Sequence, residues 1–89
     1  MIRALFVGGV VDNSELDLEP GKAPVHYPPD GGGGHARYRL RQVGMRGDGE
    51  TACAVYGGPD TPAEEVRRIS SERGYARRFE VELQDVDGD

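Results

Sequence analysis

The sequence predicts a small two-layer α+β domain, in which one amphipathic helix packs on an antiparallel sheet of about five strands in the order ββ-loop-ββ-α-β. Three observations support this prediction. Several short segments alternate apolar and polar residues, as half-buried strands do. One later segment carries apolar residues at helical spacing between a start signal and a stop signal. The chain has 89 residues, enough for one domain with a thin core.

The opening of the chain predicts two strands joined by a polar turn. Residues 2–7 carry apolar side chains on both faces, which indicates a strand that is covered on both sides. Two glycines follow, and residues 12–14 (Asp-Asn-Ser) have the composition of a turn. Residues 15–19 alternate leucines with carboxylates, so we expect a half-buried strand with an acidic outer face. Its acidic residues are Glu15, Asp17 and Glu19.

The composition of residues 20–35 predicts a loop. Four prolines exclude a regular helix there, and four consecutive glycines at 31–34 make the chain very flexible. Inside this segment, His26 and Tyr27 belong to a short extended piece that we expect to lie against the sheet. We expect the remainder to be a flexible surface loop, and loops of this length in small domains are usually functional or disordered.

A second hairpin is predicted after the loop. Residues 36–43 alternate Tyr38 and Leu40 with basic residues, residues 44–50 contain the turn, and residues 51–56 return as a strand. An Asp-Gly pair in the turn favours a tight connection. The polar face of the predicted strand at residues 36–43 carries Arg37, Arg39 and Arg41.

The helix is marked at both ends. Thr61 has the side chain of an N-cap residue, Pro62 suits the first helical position, and Glu64 occupies the capping-box position. Gly74 is expected to end the helix, because glycine readily adopts the left-handed conformation found there.

The C-terminal part predicts a last strand and a tail. Phe79, Val81 and Leu83 alternate with polar residues, and we expect these three side chains to face the core. Residues 85–89 are predicted to be an acidic disordered tail, so the single domain spans residues 1–84. A thin core and an open sheet edge favour pairing with a second copy, and a homo-oligomer is one expectation.

The composition limits the partners and the compartment. The net charge is −5, so we do not expect a general electrostatic attraction to nucleic acid. Lys22 is the only lysine beside ten arginines, a bias typical of high-GC bacterial or phage genomes. The sequence has neither a signal-peptide pattern nor an apolar stretch of transmembrane length, so we expect a cytoplasmic protein that does not enter membranes.

No catalytic, cofactor or metal signature is evident. The glycines at 31–34 precede a predicted strand, whereas a phosphate-binding loop requires a following helix. His26, His35 and Cys53 are scattered, whereas a structural zinc site needs four ligands at short paired spacings. We therefore expect no catalytic residue, no cofactor and no metal, and we expect the protein not to be an enzyme.

Two surfaces are candidates for binding. The first combines the acidic strand with the loop, and its residues are Glu15, Asp17, Glu19, His26 and Tyr27. The alternative is a nucleic-acid face on the second hairpin, formed by Arg37, Tyr38, Arg39 and Arg41. A third interpretation is that these arginines neutralise the acidic strand, which requires the two strands to be neighbours.

The chain resembles a set of small phage and prophage proteins. The resemblance lies in residues 5–9 (Leu-Phe-Val-Gly-Gly) with Asp12, in residues 38–40 (Tyr-Arg-Leu) and in residues 55–56 (Val-Tyr). Val10 stands where those proteins usually have Pro. The resemblance implies a phage accessory protein that acts in the host cytoplasm. We expect such a protein to bind a host or phage protein, for example as an inhibitor of a host defence system.

Overall fold

The computed structural model of the protein describes residues 2–19, 23–27 and 37–86, and it confirms the predicted α+β class. Six strands and two helices lie within these residues. In chain order they are β1 (Ile2–Val7), β2 (Glu15–Leu18), β3 (His26–Tyr27), β4 (Tyr38–Met45), β5 (Thr51–Gly57), α1 (Ala63–Arg73), α2 (Tyr75–Phe79) and β6 (Glu82–Asp85). Neither helix in the described part of the chain is long and apolar enough to cross a membrane.

The sheet is mixed, with the strand order β2-β1-β5-β4-β3, and β6 also pairs with β4. The central pair β1–β5 is parallel, and the other pairs are antiparallel. The expectation of a purely antiparallel sheet is therefore wrong for this pair. β5 is buried along almost its whole length, whereas burial alternates along β4. β5 therefore takes the doubly covered position beside β1, and burial on both faces is typical of parallel strands.

The two faces of the sheet carry separate apolar clusters. On the helix face, both helices cover buried residues of β1 and β5, which confirms that apolar residues of β1 serve both sides. That cluster contains Leu5, Val7, Cys53, Val55, Val66 and Tyr75, with Ile69, Phe79, Val81 and Leu83 packed against it. The opposite face, called the aromatic face here, contains Ile2, Ala4, Phe6, Tyr38, Leu40, Ala54 and Tyr56.

The sheet curls around the aromatic face. The ring of Phe6 lies 5.1 Å from the ring of Tyr38 and 5.5 Å from that of Tyr56, measured between centroids. Two strands separate β1 from β3, a span of about 14 Å in a flat sheet. The rings of Phe6 and Tyr27, on these two strands, are nevertheless only 5.6 Å apart. This curl brings the two ends of the sheet toward each other.

The helix begins differently from the prediction and ends as predicted. Pro62 is the residue that precedes the first turn, and no side chain caps the helix. The Thr61 side chain is buried against Gly8 instead, so the predicted capping box is wrong. Gly74 ends α1 in the left-handed conformation with φ 69°, and its N–H donates to carbonyls of the last turn.

The predicted last strand begins later than expected. Phe79 ends the short helix α2, and Glu80, at φ 56°, turns the chain into β6. Phe79, Val81 and Leu83 do pack against the helix-face cluster, as the alternation predicted. Asp85 belongs to β6, and residues 87–89 of the predicted tail lie outside the described residues.

The extended piece predicted inside the long loop is confirmed. His26 pairs with Arg39 and Tyr27 with Tyr38, which adds β3 to the outer side of β4. The other predicted loop residues at 20–22 and 28–35 lie outside the described residues.

Candidate functional site

Strand β2 carries the predicted acidic residues at one end of the sheet. Glu15 and Asp17 lie on the helix face, where Arg3 binds both at N–O distances of 3.0 and 2.7 Å. Arg78 of α2 adds a second contact to Glu15 at 2.7 Å. The hydrogen bond from Arg78, followed by that from Arg3, lowers the pKa of Glu15 although partial burial opposes the shift. Glu19 follows the strand and is exposed.

The arginines of β4 do not neutralise this strand. β1 and β5 separate β2 from β4, so the interpretation that requires neighbouring strands is wrong. Arg39 pairs with Gly57, whose missing side chain would point at Val66 of α1, so Arg39 lies on the helix face. The stem of Arg41 also lies beside Gly57. Arg41 therefore shares the helix face with Arg39.

The predicted nucleic-acid face is divided between two sides of the sheet. Tyr38 is buried in the aromatic face, opposite to Arg39 and Arg41. Arg37 is half-buried just before β4. The structure therefore does not bring the four residues into one exposed basic ridge.

An apolar hollow opens on the aromatic face. It has a volume of about 280 Å³, and its lining is almost entirely apolar. Its lining residues are Phe6, Val10, Val11, Ser14, Leu16, Tyr27 and Tyr38. Two other hollows, of about 500 and 520 Å³, are lined in part by charged side chains such as Glu80 and Arg77. The smaller hollow therefore offers the apolar surface that a protein contact buries.

The rim of the apolar hollow is formed by residues 8–14, called the rim turn here. Gly8 and Gly9 adopt φ angles of 77° and 72°, which favour glycine. The Tyr38 hydroxyl donates to the Gly8 carbonyl at 2.6 Å and accepts from the Val11 N–H at 2.9 Å. These bonds hold Val10 and Val11 at the rim, where the two residues are 94% and 41% exposed.

The rim turn is also tied to helix α1. Asp12 accepts from the Gly8 N–H at 2.8 Å and from Arg73 at 2.9 Å. These two bonds, the backbone one being the larger cause, lower the pKa of Asp12. Arg73 also donates to the Phe6 carbonyl at 3.4 Å. Gly8, Gly9 and Asp12 thus meet Tyr38, which is distant from them in the chain.

Of the five residues predicted to bind a partner, Tyr27 lines the apolar hollow. Tyr27 of β3 and Leu16 of β2 both line it, although their strands stand at opposite ends of the sheet. His26, which precedes Tyr27 in the chain, is half-buried. Glu15 and Asp17 alternate with Leu16 and therefore lie on the other side of β2.

The nucleophilic and metal-binding side chains form no cluster in the described residues. Cys53 is fully buried in the helix-face cluster, and burial raises the pKa of its thiol to about 11. Within 2–19, 23–27 and 37–86, no three His, Cys, Asp or Glu residues are placed to hold a metal ion.

Comparison of the chain with protein-family profiles, with curated proteins and with solved structures found no match. The geometry of the apolar hollow is therefore the basis for a functional proposal. Sequence reasoning missed Val10 and Val11 as site residues. The available signal was a pair of exposed-looking valines inside an otherwise polar turn, and an exposed apolar residue is most informative where several form one patch.

Proposed function

We propose that this protein is a non-enzymatic phage or prophage accessory protein that acts by binding another protein at the apolar hollow. The observation that carries the proposal is the exposed Val10 side chain beside a hollow with an almost entirely apolar lining. Apolar patches with a polar surround are typical of protein-binding sites. The surround here includes the exposed Asp12 of the rim turn.

The free energy gained by burying apolar side chains supports the apolar hollow as the site that anchors a partner. Burying one valine side chain completely contributes roughly 1.5–3 kcal/mol. The hollow has room for an apolar side chain of the partner, which would contact Phe6 and Tyr38 in its wall. Hydrogen bonds with Tyr38 and Arg73 hold the rim turn from both sides. The turn therefore loses little conformational entropy when a partner binds.

The phage setting rests on the resemblance of residues 5–9, 12, 38–40 and 55–56 to small phage and prophage proteins. In that setting the partner is a host or phage protein in the host cytoplasm. Inhibition of a host defence system is one role that a small binding protein of this kind serves.

Affinity capture followed by reconstitution tests the proposal. The tagged protein is used as bait in host lysate, the captured protein is purified, and its Kd is measured by calorimetry. We expect V10D to weaken the complex by at least about tenfold, because a charge then sits at the apolar rim. V25D is the matched control, since Val25 is 50% exposed and does not line the hollow. Equal affinity of wild-type protein and V10D would refute the proposal.

A further inference from the structure

We propose that the partner contributes an extended segment that pairs with the outer edge of β2 and alternates apolar with basic side chains. This inference rests on the proposed function and specifies the partner of the same site. It follows from three properties of β2: its place in the sheet, the direction of its backbone groups and the residues on its two faces.

The outer edge of β2 is open in the described part of the chain, because β2 is the terminal strand of the sheet there. Phe6 exchanges backbone hydrogen bonds with residues 13 and 14, which fixes the phase of the β1–β2 ladder. By the alternation of an antiparallel ladder, the backbone groups of Leu16 and Leu18 point toward β1. Those of Glu15 and Asp17 point outward, where a further strand would pair with them.

The two faces of β2 select different side chains on such a strand. Leu16 and Leu18 pack against the aromatic face, and Leu16 also lines the apolar hollow. Residues opposite them in the added strand would extend this apolar surface. The residues that alternate with these in the added strand would lie beside Glu15 and Asp17, on the helix face.

The charge near β2 favours basic residues at the positions of the added strand that lie beside Glu15 and Asp17. Positions 15, 17 and 19 carry three carboxylates, and the guanidinium groups of Arg3 and Arg78 pair with the first two of them, which leaves one negative charge. The exposed fraction of the Asp17 side chain is 44%, so a partner guanidinium can reach it. Arg or Lys in the added strand would therefore complete the pairing of charges.

The same charges disfavour a second copy of this chain as the added strand. In an antiparallel two-fold pairing, opposite residues point to the same face. Glu15 would then face Asp17 of the other copy, or Asp17 would face itself, and like charges directly opposite destabilise a sheet. The edge thus resists self-pairing while it remains open to a basic strand.

Blocked heptapeptides of alternating Val and Arg test the inference by NMR titration at low salt. The proposed pairing is antiparallel, and the Arg residues stand opposite Glu15 and Asp17, so the amides of the Arg residues face β2. We expect N-methylation of the Arg amides to weaken binding by at least about tenfold, whereas N-methylation of the Val amides leaves it unchanged. Replacing Arg by Glu in the peptide should weaken binding by a similar factor.

Variants of Asp17 separate the backbone contribution from the charge. D17P removes an outward N–H together with the carboxylate and leaves the ladder with β1 intact, so we expect a folded protein whose peptide affinity falls at least about tenfold. D17N keeps the N–H and removes the charge, and we expect a smaller loss. Circular dichroism of both variants verifies the fold.

Three outcomes would overturn the inference: equal binding of both N-methylated peptides, unchanged affinity of D17P, or no peptide binding at about 1 mM, the scale of a weak complex. None of them affects the proposed function by itself. That proposal fails only if the captured protein binds V10D as tightly as it binds the wild-type protein.

Discussion

Replacing Tyr38 by Phe removes one oxygen atom that holds the rim turn in place. The ring remains in the aromatic face, where it meets the Phe6 ring edge to face at 5.1 Å. Two hydrogen bonds disappear: the hydroxyl no longer donates to the Gly8 carbonyl and no longer accepts from the Val11 N–H. Y38F is therefore a test of whether this hydroxyl orders the rim of the hollow.

The size of the effect follows from these two bonds. Each intramolecular hydrogen bond contributes about 0.5–1.5 kcal/mol net, so the pair contributes about 1–3 kcal/mol. Val11 is 41% exposed, and water can replace part of the lost contact at its N–H. We therefore expect the free energy of unfolding to fall by about 1.5 kcal/mol, which lowers Tm by about 6–12 °C in a domain of this size.

Urea denaturation and amide hydrogen exchange measure this prediction. We expect the Val11 amide to exchange faster in Y38F, while amides of β5 follow only the global change in stability. Y27F is the matched control, because the Tyr27 hydroxyl makes no hydrogen bond with the described residues and its ring also lines the hollow. A loss of stability below about 0.3 kcal/mol, with Val11 exchange unchanged, would refute the role assigned to the hydroxyl.

Two further predictions concern charge and packing. The pKa values of Asp12 and Glu15 in the folded protein lie below their ordinary values of 3.8 and 4.5, so both carboxylates stabilise the fold above those values. We expect the free energy of unfolding, measured with urea, to fall as the pH drops from about 5 to about 3, and the double variant D12N/E15Q to lose part of this dependence. A wild-type stability that is constant over this range would contradict the assignment. In G57A the new methyl group would lie 2.6 Å from Val66, and we expect a loss of about 1–3 kcal/mol from overpacking. G47A meets nothing within 4 Å and should be neutral, so equal denaturation midpoints for the two alanine variants would exclude this explanation.

The local elements could be predicted from the sequence because their signals are local. The alternation of Leu16 and Leu18 with carboxylates placed β2, and Gly74 ended α1 where expected. Although Phe79 belongs to α2 and not to the predicted strand, Phe79, Val81 and Leu83 all pack against the core, since their burial depends on apolar character more than on the element.

The partners of the strands could not be predicted, because pairing is decided by contacts between residues distant in the chain. The parallel pairing of β1 with β5 joins Arg3 to Cys53 and Val7 to Gly57, and no short-range pattern encodes it. The same pairing separates β2 from β4, so Glu15 forms ion pairs with Arg3 and Arg78 and not with the arginines of β4.

The hollow escaped prediction for the same reason. Its lining comes from the rim turn and from strands β1, β2, β3 and β4, which only the curled sheet brings together. Val10 alone appeared as an apolar residue in a turn, and nothing in its neighbours indicated that Tyr27 would line the same hollow.

Amide hydrogen exchange of the complex with the captured protein tests the central claim most directly, because it locates the contact on this chain. The account predicts slower exchange in the rim turn at Val11 and at the edge of β2 at Glu15 and Asp17, with α1 unchanged. Slower exchange confined to the outer surface of α1 and α2, with the rim turn and β2 unaffected, would contradict it.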